Sequence, residues 1–292
     1  MPSPRKFQKQ QKTMESFARV AKAVSLLAAT GMSRTKGPLE AAKAYTDRMA
    51  QMMRTLLSEE GLASQIASLR QEQRSALVLV LGADKGLCGG YHANLTKVAG
   101  PHIQTLRQQV PDVHVEVFGK RTGRLMRAQQ MEPEIVRERG TKTPTLNDVL
   151  PDADRYWAAF QGGKVDRVDV AYTHYGNATT IKPVVETLLP IQPVFDQEDM
   201  QDDQSDRMDF YPSREDLLSS MLLPYYQARF YTLFLEATLC EQKARMERMS
   251  AAKSSAEKRG KKYGQQYRRA RQGKITNELL ELTSGADAVS EQ

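Results

Sequence analysis

The turn Gly82-Ala-Asp-Lys-Gly86-Leu-Cys-Gly-Gly90 gathers the residues of this chain best placed for chemistry. It follows an apolar run, Ala76 to Leu81, and in layered α/β domains such a strand-to-helix turn is where anions settle on free backbone N–H groups. Its spacing fits neither G-x-x-x-x-G-K-S/T nor G-x-G-x-x-G, and no serine or threonine follows a lysine after the second glycine. The expected reading is a tight turn whose small residues admit another backbone. Cys88 in that turn could act as a nucleophile, but no histidine forms a recognisable motif with it. The four histidines, His92, His102, His114 and His174, are scattered, and none pairs with a carboxylate at helical spacing, so they read as structural or surface residues. Cys88 and Cys240, the two cysteines, stand far apart in no metal-like spacing, which indicates neither a disulfide framework nor a zinc site. No catalytic, cofactor or metal residue is expected.

The elements that hold this turn speak more clearly. Ala76-Leu77-Val78-Leu79-Val80-Leu81 reads as a buried strand of a parallel sheet. A helix is expected near Ala93–Val110, a second strand at Val113–Gly119 followed by a basic helical stretch, a third strand at Glu134–Arg137 and a fourth at Arg167–Tyr175. Strand and helix in alternation argue for a small α/β domain over residues 75–195 with a mostly parallel, Rossmann-like sheet.

Helical arms flank that domain. In residues 4–60, Phe17, Val20, Val24 and Leu27 recur as a heptad-like seam with Ala21 and Ala28 beside them. Gly31 and Gly37-Pro38 interrupt the pattern, leaving two stretches that are either continuous or kinked near Gly37. Residues 213–286 read as one helix, with apolar positions from Leu217 through Phe234 and Leu239 to Met249. At ~1.5 Å per residue it would reach ~110 Å, too long for a compact domain. Such a helix must bury its stripe on another helix or inside another protein.

Charge is unevenly spread. The chain has 292 residues and a net charge of +7. Twelve basic residues against three acids lie between Glu241 and Lys274. Seven acids and a single arginine lie within 196–209, and residues 196–212 read as a solvated acidic linker lacking the glycine and glutamate spacing of a calcium loop. A basic arm suits nucleic acid, an acidic membrane surface or an acidic protein partner. Tyr263 and Tyr267 interleave with the charge, yet no compact nucleic-acid module is recognisable. No run of eighteen apolar residues is present, so no membrane span is expected, and no secretory stretch follows the basic start.

Three blocks then resemble a known family, the gamma subunit of rotary F-type ATP synthases. Val20-Ala-Lys-Ala-Val-Ser-Leu-Leu-Ala-Ala29 is similar to its I-T-K-A-M-K-M-V-A-A, and Asp84-Lys-Gly-Leu-Cys-Gly-Gly90 to its S-D-R-G-L-C-G-G. Glu241, Ala244-Arg-Met246, Met249, Tyr267, Ala270-Arg-Gln272 and Ile275-Thr276-x-Glu278 keep the spacing of its tail. With Leu222-Leu-Pro-Tyr-Tyr226, the likeness spans essentially the whole chain. The resemblance implies an antiparallel coiled coil of N- and C-terminal helices inside a hexamer of three alpha and three beta subunits. It places the α/β domain beside the epsilon subunit and the membrane rotor ring, with the delta subunit elsewhere in the complex. It implies a non-catalytic, peripheral subunit on the cytoplasmic face of the bacterial inner membrane, without nucleic acid as partner. It further implies that Arg271, Gln272 and Thr276 bond to catch loops of beta. Lys85 and Cys88 would meet beta lower down, and Val24, Arg245 and Met249 would lie in the zone between shaft and hexamer. The departures are the polar stretch Ala251–Ala256 and the glycines at 260, 264 and 273. Each glycine costs ~1 kcal/mol of helix propensity relative to alanine, which predicts a looser arm.

Overall fold

The computed structural model of the chain describes residues 3–56, 74–140, 142–176, 180–191 and 210–290. The acidic stretch 196–209 lies outside these residues. The chain divides into two compact units, Ala29–Ala244 and the pair Met1–Ala28 with Arg245–Gln292.

The larger unit is built on a five-stranded sheet of order β3-β2-β1-β4-β5. β1 (Ser75–Leu81), β2 (Asp112–Phe118), β3 (Ile135–Arg137) and β4 (Arg167–Tyr175) run parallel, and β5 (Ile181–Leu189) returns antiparallel to β4. The unbroken apolar run of β1 is explained by burial on both faces. Leu77, Leu79 and Leu81 point into one core and Val78 and Val80 into the other. On the valine side lie α2 (Tyr91–Gln109), through Leu95, Ala99, Ile103 and Leu106, and Met126 of α3 (Lys120–Ala128). On the leucine side lie α4 (Leu146–Gln161) and the long C-terminal helix α5 (Arg214–Ser290), which contributes Tyr226, Phe230, Leu233, Phe234 and Ala237. Each such aromatic or leucine removed from water contributes about 1.5–3 kcal/mol.

The other side of α5 receives α1 (Pro4–Leu56), with Leu39 on Leu235 and Leu239, and Met49 and Met53 near Leu218 and Tyr225. α1 is one continuous helix with Pro38 inside it, which settles the alternative left open at Gly37. Gly31 has a packing reason: a Cβ there would meet Gln242 Cδ at 3.2 Å.

Two elements escaped the sequence reading, β5 and α4. β5 carries Pro183, which cannot donate to a ladder and is tolerated because the strand lies at the sheet edge. α4 contains Pro151 and starts at Thr145, whose amide and hydroxyl both donate to Asp148 Oδ2.

The buried carboxylate of Glu116 ties β2 to α4, accepting from Arg155 at 2.8 and 3.1 Å and from the Tyr156 hydroxyl at 2.7 Å. Burial alone would raise its pKa, but the bonds from Arg155 and Tyr156 outweigh burial and hold it below the ordinary carboxylate range. The stabilisation is therefore present above the unfolded pKa of about 4.3 and is lost as pH falls through the lower folded value. We expect Glu116→Gln to flatten the acid limb of the stability profile, read by urea unfolding between pH 3 and 6.

The smaller unit is an antiparallel helix pair. Ser25 Oγ donates to the Met246 carbonyl at 3.2 Å, Met14 faces Gly260 and Gln11 faces Gly264, so the two helices run in opposite directions. The buried seam consists of Ala18, Ala21 and Ala28 on α1, with Met249, Ala256, Gly260 and Gly264 on α5. This corrects the seam read from sequence. Phe17, Val20 and Leu27 are 48%, 60% and 72% exposed, and Val24 is half-buried. Small residues let the backbones approach, and the bulky side chains turn outward. The glycine at 264 marks a close approach where the sequence suggested looseness, since a Cβ there would meet Gln11 Oε1 at 3.2 Å. A Cβ at Gly260 would sit 3.6 Å from Met14 Cβ, an ordinary contact. Gly260→Ala should therefore raise the stability of the full chain by up to about 1 kcal/mol, through helix propensity alone. A lowered melting temperature would show that the seam needs the glycine itself.

Candidate functional site

The glycine turn lies at the C-terminal edge of the sheet, where doubly wound folds bind phosphates. Here the anion position is filled from within. Asp84 accepts the backbone N–H of Lys120 at 2.8 Å, Arg139 at 3.0 Å and Gly140 at 2.7 Å. A carboxylate of the turn thus ties it to the start of α3 and to the segment after β3, and places a negative charge where a phosphate would have to sit. Gly119, at φ +124°, brings the end of β2 against Ala83, and Thr122 Oγ1 accepts the Ala83 amide at 2.9 Å. Within the turn itself the crowded glycine is Gly82, whose Cβ would fall 2.1 Å from Thr122 Oγ1; the backbone that comes close does so at Ala83 and is admitted by Gly119.

Cys88 does have a histidine neighbour, four residues on. His92 Nε2 lies 3.2 Å from Cys88 Sγ, which corrects the view that no histidine partners this thiol; the i, i+4 spacing was the available signal. The pair is nevertheless poorly suited to nucleophilic catalysis. His92 Nε2 also lies 3.1 Å from the Lys85 carbonyl, which can only accept, so the proton sits on Nε2. Nδ1 then accepts from Thr122 Oγ1 at 2.8 Å. A nitrogen already protonated cannot take the thiol proton, and Cys88 is only 2% exposed. Cys240 shares this cluster, where burial pushes its thiol up to about 12, and Tyr91 donates its hydroxyl to the Ala237 carbonyl.

The remaining histidines are paired after all. His102 meets Asp169 at 2.6 Å, His174 meets Glu236 at 2.8 Å, and His114 lies between Asp112 and Glu134. Asp169, Glu236 and Glu134 lie outside the histidines' own elements and Asp112 sits two residues before His114 on β2, which is why helical spacing did not reveal them. Among the described residues, no group of three His, Cys, Asp or Glu side chains converges as metal ligands would.

The surface offers more than the clefts. Of the eight residues singled out for contact, Lys85, Arg271, Gln272 and Thr276 are exposed, with Thr276 Oγ1 bonding back to the Gln272 carbonyl. Cys88, Arg245 and Met249 are buried, so their side chains are committed to the fold. Cys88 in particular is turned inward against Ala83 and Tyr91, and the turn presents Lys85 and Leu87 to solvent instead. Lys85 and Cys88 belong to the larger unit and the other six to the helix pair. The Ser25–Met246 bond sets Val24, Arg245 and Met249 at one level of that pair. The sequence reading missed the outward apolar face: Phe17, Val20, Leu26 and Leu27 on α1, and Ile275, Leu279 and Leu280 on α5. Basic residues 258, 259, 261, 262, 268, 269, 271 and 274 are exposed on α5. Apolar and cationic groups side by side on two thin helices suit burial in a partner better than ligand binding.

Comparison with known proteins decides the family. A family model described as ATP synthase matches residues 3–289. A gamma chain of ATP synthase from Rhodopirellula baltica is 32% identical over 295 residues, covering 99% of both chains. The chain belongs to the ATP synthase gamma-chain family. A second gamma chain of the family, from a Parafrankia species, is 28% identical over 290 residues and covers 98% of this chain and 97% of its own. Among solved structures, a rotor chain of the Euglena gracilis mitochondrial ATP synthase superimposes with a TM-score of 0.62 at 13% identity, covering 93% of this chain and 98% of its own. The fold of long terminal helices around a central sheet is thus that of family stalks.

Proposed function

We propose that this chain is the central stalk of a rotary F-type ATP synthase and transmits torque between the membrane rotor ring and the alpha/beta hexamer, with no bond chemistry of its own. The observation that carries this reading is the inverted seam of the helix pair. Alanine and glycine make up most of the inside, beside Met249 and Arg245, while Phe17, Val20, Leu27 and a row of cations face outward, where a surrounding partner would cover them. The carboxylate of Asp84, which the glycine turn carries and which accepts the amides of Lys120, Arg139 and Gly140, puts a negative charge at the turn that disfavours a phosphate there. Contacts to the hexamer run through Arg271, Gln272 and Thr276 at one level and Lys85 at another. Val24, Arg245 and Met249 shape the helix pair, and Cys88 acts by holding the turn that bears Lys85. The complex sits at the cytoplasmic face of the bacterial inner membrane, with epsilon and delta as further partners and this chain peripheral to the bilayer.

Two measurements test the reading. The purified chain should hydrolyse no ATP and should co-purify with alpha and beta subunits. Hydrolysis abolished by Lys85→Ala would instead establish a phosphate site. A nucleic-acid protein using the basic arm would bind DNA without those subunits, with affinity falling by orders of magnitude as salt rises.

A further inference from the structure

From Thr232 to Gln242 every residue of α5 is buried. The hydrophobic driving force is non-directional, whereas charge pairs act along fixed directions, so the charged side chains in and beside this stretch are informative about what sets the helix's roll. Glu236 accepts Lys43 Nζ of α1 at 2.6 Å, His174 Nδ1 of β4 at 2.8 Å and the Tyr175 amide at 3.0 Å. Lys43 Nζ also donates to the Tyr175 carbonyl at 2.8 Å, which closes a ring over α1, β4 and α5. Two turns earlier, Arg229 holds Glu186 of β5 through Nε at 2.8 Å and Nη2 at 2.6 Å, and Tyr172 donates to the same carboxylate. Beyond Glu236, Glu241 is ion-paired with Arg139, whose side chain is 2% exposed. The Arg139 amide in turn donates to Asp84, so this pair reaches the turn that bears Lys85.

The azimuths matter. At about 100° per residue, Arg229 and Glu236 share one face of α5, and Glu241 lies roughly 140° around it. The charged partners therefore grip the helix from two directions and oppose its rotation about its own axis, as a key opposes rotation in a slot.

We propose that the pins Glu186–Arg229, Lys43–Glu236–His174 and Arg139–Glu241 are the torque-bearing joint between the sheet and α5. They are positioning residues: none touches a nucleotide, and each fixes the roll of the helix. The inference rests on the stalk reading above and goes beyond it by naming where the load passes.

The test removes both charges of a pin, so that no lone buried charge confounds the result. Arg139→Gln/Glu241→Gln is compared with wild type and with the swapped pair Arg139→Glu/Glu241→Arg, in the complex assembled with alpha and beta subunits. A bead fixed to the sheet domain through Arg124→Cys reports torsional stiffness from its angular fluctuations, and ATP turnover is measured alongside. The neutral pair should soften the joint at least twofold with turnover unchanged, and the swap should restore most of the stiffness. Equal stiffness in all three overturns the proposal while leaving the stalk reading intact; a wild-type bead that never rotates overturns the stalk reading itself. On the chain alone, spin labels at Ser219→Cys and Arg124→Cys give a second readout that does not depend on assembly. Their distance distribution should broaden in the neutral pair, and in Glu236→Gln as an independent pin. Unchanged widths in both would also sink the idea.

Discussion

Gly119→Ala lowers the stability of the full chain by roughly 3 kcal/mol or more. Two causes combine. Gly119 has φ +124°, a region that side chains avoid, and a Cβ would fall 2.4 Å from the Ala83 nitrogen. That neighbour is backbone, held on one side by β1 and on the other by Thr122, so it cannot swing away. The end of β2 must then shift, and the Lys120 amide loses Asp84. Gly140→Ala is the control: φ is +80° but nothing lies within 4 Å of the new methyl, so only the conformational cost of about 1–2 kcal/mol remains. Urea unfolding of both variants measures the difference. Equal losses would mean that close approach at the turn contributes nothing.

The second large effect concerns turnover. Arg271→Ala/Gln272→Ala should lower ATP turnover of the assembled complex about tenfold while the isolated chain melts as before. Both side chains are exposed, so the helix pair does not need them. A charge-assisted bond contributes about 1.5–3 kcal/mol, and each ~1.4 kcal/mol in a barrier is tenfold in rate. A rotor must hold at one angle and yield at the next, which a few directional bonds permit and a broad apolar interface would not. Unchanged turnover would shift the work to shape, and thus to Phe17, Val20 and Leu27.

How far the sequence could be read depended on which rule each element obeyed. β1 and β4 were legible because apolar side chains on both faces leave a continuous or alternating signature. β5 was not, since an edge strand carrying Pro183 and Lys182 is half covered and has no clean period. The seam of the helix pair was read inside out. The usual pattern assumes that bulky apolar residues face inward, whereas the small residues Ala18, Ala21 and Ala28 on α1 and Ala256, Gly260 and Gly264 on α5 are buried and leave Phe17 and Leu27 outside. Composition cannot distinguish these cases, because the outward side chains suit a partner absent from the chain's own sequence. The buried charges were largely hidden: Glu236 and Glu241 find partners 61 to 193 positions away, and Asp169 joins the distant His102 to its strand neighbour Arg167, so the fold has to bring these groups together. The family blocks, by contrast, were legible as they stood. In the structure Asp84 of that block ties three amides together, and Ala83 just before it meets the backbone of Gly119.

The most direct test of the stalk account is rotation of this chain itself. The complex is assembled from alpha and beta subunits with the full chain, fixed to a surface through the hexamer, and a bead is attached to the sheet domain. Addition of ATP should drive the bead in one direction, in steps that slow as ATP becomes limiting. A bead that stays still while the hexamer hydrolyses ATP, or a chain that never joins the hexamer, would contradict it.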